Sequence, residues 1–179
     1  VRLGVTGSSG KTSTKDLLAQ VLEANGPTVA PAGSQNNEIG VPLTACRVDD
    51  STRFLVSEMG SRGVGHIEWL TSLVGLDVGV VLNIGRAHVG EFGGIDNVAR
   101  AKSELVSGTR EGGTVVLNAD DERVAAMASK ARGPVVTFSA AGRGDVSAAD
   151  VRTGADGRAS FTPVTPGGAW PVTLRHSRL

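Results

Sequence analysis

Apolar and polar positions along the chain repeat with two different periods. Five runs rich in Val, Ile and Leu read as strands: "VRLGVTG" from Val1, "RFLVSEMG" from Arg53, "VGVVLNIG" from Val78, "GGTVVLNADD" from Gly112 and "PVVTFS" from Pro134. The third is almost entirely apolar, as a strand buried on both faces should be. Helical spacing fills the gaps between them. From about Lys11 to Asn25 the residues Leu17, Leu18, Val21 and Leu22 form a stripe, and Gly26-Pro27 ends the helix. Further helices are predicted over His66–Val74, Ile95–Val106 and Glu122–Ala131. Strand and helix in alternation predict an α/β fold with a mostly parallel sheet flanked by helices. From Gly142 the pattern changes: "DVSAADVRT", "GRASFTPV" and "AWPVTL" are short runs between Gly-rich turns, predicting a small antiparallel β subregion over 142–179.

Composition narrows the functional classes. A chain of 179 residues fits one domain with a substantial core, here 1–179. Eighteen basic residues balance eighteen acidic ones, so no large field recruits nucleic acid or an acidic membrane surface. The apolar stretch "LVGLDVGVVLNIG" is interrupted by Asp77 and by glycines, which argues against a membrane span. The single Cys46 forms no internal disulfide and suits a reducing compartment. With 25 Gly, four Phe, two Trp and no Tyr, the chain does not resemble an aromatic-rich binding module. Val1 already reads as strand, so both ends are expected to be cuts in a longer polypeptide.

The chemistry begins at "GVTGSSGKTSTKDLL", Gly4 to Leu18. A strand, a glycine-rich turn and a Lys-Thr pair opening a helix form an anion site. Backbone N–H groups converge on phosphate, the lysine neutralises it, and the hydroxyl can reach Mg²⁺. Gly7, Ser8, Ser9, Gly10, Lys11, Thr12 and Ser13 are the candidates. The common pattern G-x-x-x-x-G-K-[ST] is shifted here: Val5 stands six positions before Lys11, and the early glycine is Gly7. A bland Ser-rich turn is the competing reading. The strand and helix on either side favour the phosphate loop, and with it a P-loop-type sheet.

Two further residues stand out on physical grounds. Glu58 ends a strand, where ligands of open α/β sheets bind and where a carboxylate can face a nucleotide's metal. Lys102 lies on the apolar stripe formed by Ile95, Val98, Ala99, Leu105 and Val106, whereas Arg100 and Glu104 fall nearer the opposite face. A lysine stem can cover apolar surface while its ammonium reaches water. Burial instead disfavours the ammonium and leaves more neutral amine, which can capture CO₂ as a carbamate.

The T-G-x-x-G-K-[ST] form of the loop resembles the Mur ligase and folylpolyglutamate synthetase superfamily. Further matches follow in order: "NNEIGVP" (36–42), "SEMGSRGVGHIEWLTSLV" (57–74), "NIGRAHVGEFGG" (83–94), "ARAKSEL" (99–105) and "LNADD" (117–121). From about Val1 to Ser139 they resemble the central ATP-binding domain of the Mur ligases, in particular the branch that adds D-alanyl-D-alanine to UDP-N-acetylmuramoyl-tripeptide. The resemblance implies an ATP-dependent amide ligase of bacterial, cytoplasmic peptidoglycan precursor synthesis, working through an acyl phosphate with two Mg²⁺ ions. It also implies preceding and following domains in the same polypeptide, without which this piece is expected to be inactive. Thr12 and Glu58 would bind one ion, and His88 with a carbamate on Lys102 the other. Lys11, His88 and Lys102 become the catalytic candidates. Asn118 and Asp121 would contact the nucleotide base, although Asn and Asp also cap helices and turns. Asn36 and Asn37 would face the UDP-muramoyl peptide. Ser34 replaces the usual Asn and Leu82 the usual Thr, and neither is expected to touch the phosphate loop. A sister ligase, a polyglutamate-type synthetase and, in another class, a nucleotide-dependent switch ATPase are the alternatives.

Overall fold

A computed structural model describes residues 1–85 and 89–174. The chain opens with β1 (Arg2–Thr6) and α1 (Lys11–Glu23), followed by a short edge strand, β2 (Thr28–Val29), and α2 (Gly40–Ala45). Next come β3 (Phe54–Glu58), α3 (His66–Val74), β4 (Leu76–Val81), α4 (Val89–Phe92), α5 (Ile95–Gly108) and β5 (Thr109–Asn118). After them run α6 (Glu122–Ala125), a 3₁₀ turn over Ala126–Lys130, and β6 (Val135–Ser139). The last strands are β7 (Val146–Thr153), β8 (Ala159–Thr165), β9 (Gly168–Ala169) and β10 (Val172–Thr173).

Among the described residues all ten strands join one sheet, in the order β2-β3-β1-β4-β5-β6-β7-β8-β10, with β9 also on β8. Pairing is parallel from β2 to β7 and antiparallel from β7 onward. The antiparallel strands expected after Gly142 are present, and they extend the central sheet through the parallel β6–β7 pair. The chain crosses from β1 outward to β2, returns to β3, and then continues on the other side of β1 with β4. That reversal creates a crevice beyond the carboxyl ends of β3, β1 and β4, where ligands of such sheets bind.

The main core lies where α3 and α5 pack against β4 and β5. Ile67, Leu70 and Val74 from α3 meet Leu105 and Val106 from α5 over Leu76, Val81, Val115 and Leu117. Glu104 fixes the start of α3. Its carboxylate accepts the Gly65 N–H at 2.6 Å and the Glu68 N–H at 3.1 Å, placing negative charge at the helix's positive end.

Three local departures from the sequence expectation have physical causes. β2 and α2, two and six residues long, are too short to display a period. β5 starts at Thr109 rather than Gly112, because an irregularity in its pairing with β4 lets Thr109 meet Leu76 before regular pairing resumes at Thr114. The helix expected through Ala131 tightens to 3₁₀ after Ala125, where the Ser129 hydroxyl donates to the Ala126 carbonyl at 3.0 Å and competes with the helical ladder.

Leu105 is fully buried where α5 crosses the sheet. Truncating it, Leu105→Ala, should lower unfolding free energy by roughly 3 kcal/mol, the scale of a buried leucine cavity. Urea denaturation followed by far-UV circular dichroism measures this directly, and a loss under about 1 kcal/mol would mean that the α5–sheet contact is not a tight core.

Candidate functional site

The loop between β1 and α1 is braced from the neighbouring strand. Just past β4, the Asn83 side-chain oxygen accepts the N–H groups of Ser8 and Ser9, both at 3.0 Å, and its amide donates to the Ser9 carbonyl at 3.2 Å. Ser8 Oγ accepts the Gly85 N–H at 2.8 Å. Gly10 turns the chain into the helix with φ 78°, a left-handed conformation that glycine adopts without a Cβ penalty. Gly7 sits so close to β4 that a Cβ there would lie 2.9 Å from the Leu82 Cβ. Leu82 therefore packs against the phosphate loop, correcting the expectation that it does not touch it.

These bonds divide the loop's donors into two sets. The amides of Ser8 and Ser9 hold Asn83, so they serve the loop's shape. Lys11, Thr12 and Ser13 begin α1, where a helix's first N–H groups lack intrahelical partners and can face an anion. Lys11 Nζ donates to the Gly7 carbonyl at 2.9 Å, folding its ammonium back over the loop.

One strand over, Glu58 pairs in register with Val5, level with the end of β1. It is 1% exposed. One carboxylate oxygen accepts from Asn36 Nδ2 at 2.7 Å; the other, Oε2, has no partner among the described residues. Asn36 also accepts the Gly60 N–H through its backbone carbonyl at 2.7 Å, so it clasps the turn after β3 from both ends. A buried carboxylate oxygen without a partner is costly. Its chemistry fits a hard divalent cation, which takes oxygen ligands.

Lys102 lies on the buried face of α5, 5% exposed, as the helical spacing predicts. Burial pushes its ammonium down to about 8, and the charge of Lys11 pushes the same way. The amine is thus neutral far more often at working pH than a surface lysine.

Gly7, Ser8, Lys11, Asn36, Asn37 and Lys102 line one cleft of about 480 Å³. It is also lined by Ser61 and Arg62 from the turn after β3 and by His66 and Trp69 from α3. None of these four was singled out from the sequence, although "GSRGVGHIEW" directly follows the Glu58 strand end. The charged lining is Lys11, Arg62 and Lys102 against the single carboxylate of Glu38, an environment that favours a polyanion. No group of three or more His, Cys, Asp or Glu gathers among the described residues, so a metal here would depend on Glu58 with non-carboxylate or modified partners.

The remaining candidates take other positions. Asn37 lines the cleft, but its side-chain oxygen accepts the Gly40 N–H at 2.9 Å and so caps α2. Asp121 caps α6, accepting from Arg123 and Val124 N–H, and its second oxygen accepts from Ile84 N–H at 2.7 Å. Asn118 donates to the Leu82 carbonyl at 2.8 Å and accepts from Asp120 N–H. Neither Asn118 nor Asp121 lines the cleft. Both tie the end of β5 to the segment after β4. His88 lies outside the described residues.

Comparison with known proteins agrees with this geometry. The family profile of the Mur ligase middle domain matches residues 5–175. The chain is 48% identical over 160 residues to the UDP-N-acetylmuramoyl-tripeptide--D-alanyl-D-alanine ligase of Mycobacterium tuberculosis, covering 89% of this chain and 31% of that relative. It therefore spans about a third of that relative's length. Among solved structures, MurF from Acinetobacter baumannii superposes with a TM-score of 0.90 at 34% identity, covering 97% of this chain and 38% of that one. The MurF ligase from Thermotoga maritima in complex with ADP gives a TM-score of 0.86 at 29% identity, covering 97% and 40%. With its phosphate loop, its strand-end carboxylate and a matching profile over almost its whole length, the chain belongs to the Mur ligase family, as a middle domain.

Proposed function

We propose that this domain is the ATP-binding centre of a ligase that joins D-alanyl-D-alanine to UDP-N-acetylmuramoyl-tripeptide in peptidoglycan precursor synthesis. The observation that carries this reading is the convergence of Lys11 and the buried Lys102 on one cleft. A nucleotide switch needs the first lysine and has no use for the second. The names of the relatives and the bound ADP of the Thermotoga neighbour support the same reading.

The chemistry needs alignment and charge neutralisation more than covalent help. Lys11 leaves the Gly7 carbonyl and turns to the β- and γ-phosphates, beside the N–H groups that open α1. A carboxylate oxygen of the tripeptide attacks the γ-phosphorus, the bond to the bridging oxygen breaks, and ADP departs. The amine nitrogen of D-alanyl-D-alanine then attacks the acyl carbon, phosphate leaves, and the nitrogen loses a proton. The Thr12 hydroxyl and Glu58 Oε2 would hold one Mg²⁺; His88 and a carbamate on Lys102 would hold a second. Bound magnesium would neutralise the phosphate oxygens and polarise the reacting groups. Carbamate formation turns a cation that repels Lys11 into an anion that attracts it, removing the like-charge conflict. The flanking domains of the complete polypeptide would supply the rest of the substrate contacts.

Three measurements test this reading. In the full-length enzyme, Lys11→Met should reduce formation of the UDP-muramoyl-pentapeptide by about 100-fold or more, the scale of losing one preorganised transition-state donor. Undiminished turnover, or equal use of unrelated amines, would sink the assignment. Incubation with ¹³C-bicarbonate should give Lys102 a carbamate carbon visible by NMR and absent from Lys102→Met; a free amine in the active enzyme would rule that role out. Stability should also depend on pH in a definite direction. With Lys102 near 8 in the fold and 10.5 as the ordinary value, the unfolded chain binds more protons between those limits. In CO₂-free buffer, stability from this residue therefore rises with pH from about 8 to 10.5, and below 8 the full penalty on the buried ammonium remains. Lys102→Met should be more stable than wild type at pH 7 and should lose this rise in denaturation experiments.

A further inference from the structure

The most deeply buried charge among the described residues lies outside the catalytic scheme. Lys15, one turn beyond Lys11 on α1, has a side chain with 0% exposure. Lysine is rarely so enclosed unless it is paired. Its ammonium has three N–H donors, and three acceptors surround it: the Pro31 carbonyl at 2.8 Å, the Gly33 carbonyl at 2.9 Å and Asp16 Oδ1 at 2.7 Å. Two of the three belong to the segment after β2, which has no regular structure until α2 begins at Gly40.

That segment leads straight to the site. Three residues past Gly33, Asn36 holds the Glu58 carboxylate at 2.7 Å and receives the Gly60 N–H. β2 itself is a two-residue edge strand that pairs only with β3, so sheet pairing fixes the segment weakly. The lysine supplies the missing anchor. It fastens the segment to the helix whose first turn faces the phosphates, and Asn36 passes the position on to the free oxygen of Glu58.

Building on the function proposed above, we propose that Lys15 is a positioning residue that couples the phosphate-bearing end of α1 to the 31–37 segment, and through Asn36 sets the aim of Glu58 and the acid-substrate side of the cleft. Lys15 touches neither nucleotide nor substrate in this scheme. Its effect should therefore appear in the metal and acid-substrate terms and spare the nucleotide term.

The test uses the full-length enzyme. Lys15→Met should leave the affinity for ADP in the absence of Mg²⁺ within about twofold while the Mg²⁺ concentration for half-maximal ligation, and the KM for the UDP-muramoyl-tripeptide, each rise about tenfold, the scale of one lost charge-assisted hydrogen bond. Adding Asn36→Ala to Lys15→Met should raise the Mg²⁺ requirement no further than Asn36→Ala alone, because both changes act on one chain of contacts. A purely structural lysine would lower thermal stability and the yield of folded enzyme, leave both constants unchanged in the folded fraction, and overturn the proposal. Should Lys15→Met not fold, the wild-type enzyme still decides: Mg·ADP should slow hydrogen exchange in peptides spanning 30–40, and unchanged exchange there refutes the coupling. Wild-type ligation with the same substrates, measured in parallel, separates failure of the functional reading from failure of this inference, since the exchange experiment requires only nucleotide.

Discussion

The register of β1 between β3 and β4 is the constraint on which the site depends. Val5 lies beside Glu58 on one side and Val80 on the other, and Thr6 lies beside Val81. The three strands therefore end level. Only then can the segment past β4 send Asn83 back to the amides of Ser8 and Ser9, and only then does Glu58 arrive next to the start of the phosphate loop. A slip of one residue between parallel strands reverses which face each side chain occupies. For β3 such a slip would send Glu58 away from Asn36 and put Ser57 in its place. Moving the buried Glu58 carboxylate away from its Asn36 amide opposes such a slip.

Level strand ends also explain where the unsatisfied polar atoms gather. Thr6 Oγ1, Ser57 Oγ, Glu58 Oε2 and Ser61 Oγ are buried without a protein partner among the described residues, and all four lie at or near the carboxyl ends of β1 and β3. Buried polar groups in folded proteins are almost always paired, so these exceptions stand out, on both faces of the sheet since Ser57 and Glu58 are neighbours in β3. The cleft at these strand ends carries three cationic side chains, Lys11, Arg62 and Lys102, against the one carboxylate of Glu38, a balance that favours a polyanion.

Much of this could be read from the chain. The order of strands and helices and the burial of Lys102 follow from periodicity, because long elements repeat their pattern often enough to be recognised, and the loop after β1 follows from its Gly-Lys-Thr motif between strand and helix. Asn83, Asn36 and Glu104 were harder for a common reason. Each acts on a partner distant in sequence, 74 or 75 residues for Asn83, 22 for Asn36 on Glu58 and 36 or 39 for Glu104. No local spacing encodes such a bond. Asp121 shows another difficulty: a capping residue and a ligand-binding residue use the same chemical groups, and only the positions of Arg123, Val124 and Ile84 reveal the cap that its carboxylate makes. Ser61, Arg62, His66 and Trp69 were hidden because a loop and a helix bring them to the cleft from outside the sheet.

The two buried lysines show how the same side chain serves opposite ends according to what surrounds it. Lys15 meets three acceptors, and its charge is balanced where it lies; such a cation orders the backbone around it and has little reason to react. Lys102 has no hydrogen bond to a described residue, is held among the apolar side chains of α5, and feels the charge of Lys11, so its ammonium falls to about 8. Neutral amine is the reactive form. Acceptors placed around Lys102 would have stabilised the fold and silenced the amine. Among the described residues none accepts from Lys102, and the burial that disfavours its ammonium leaves more neutral amine at the cleft.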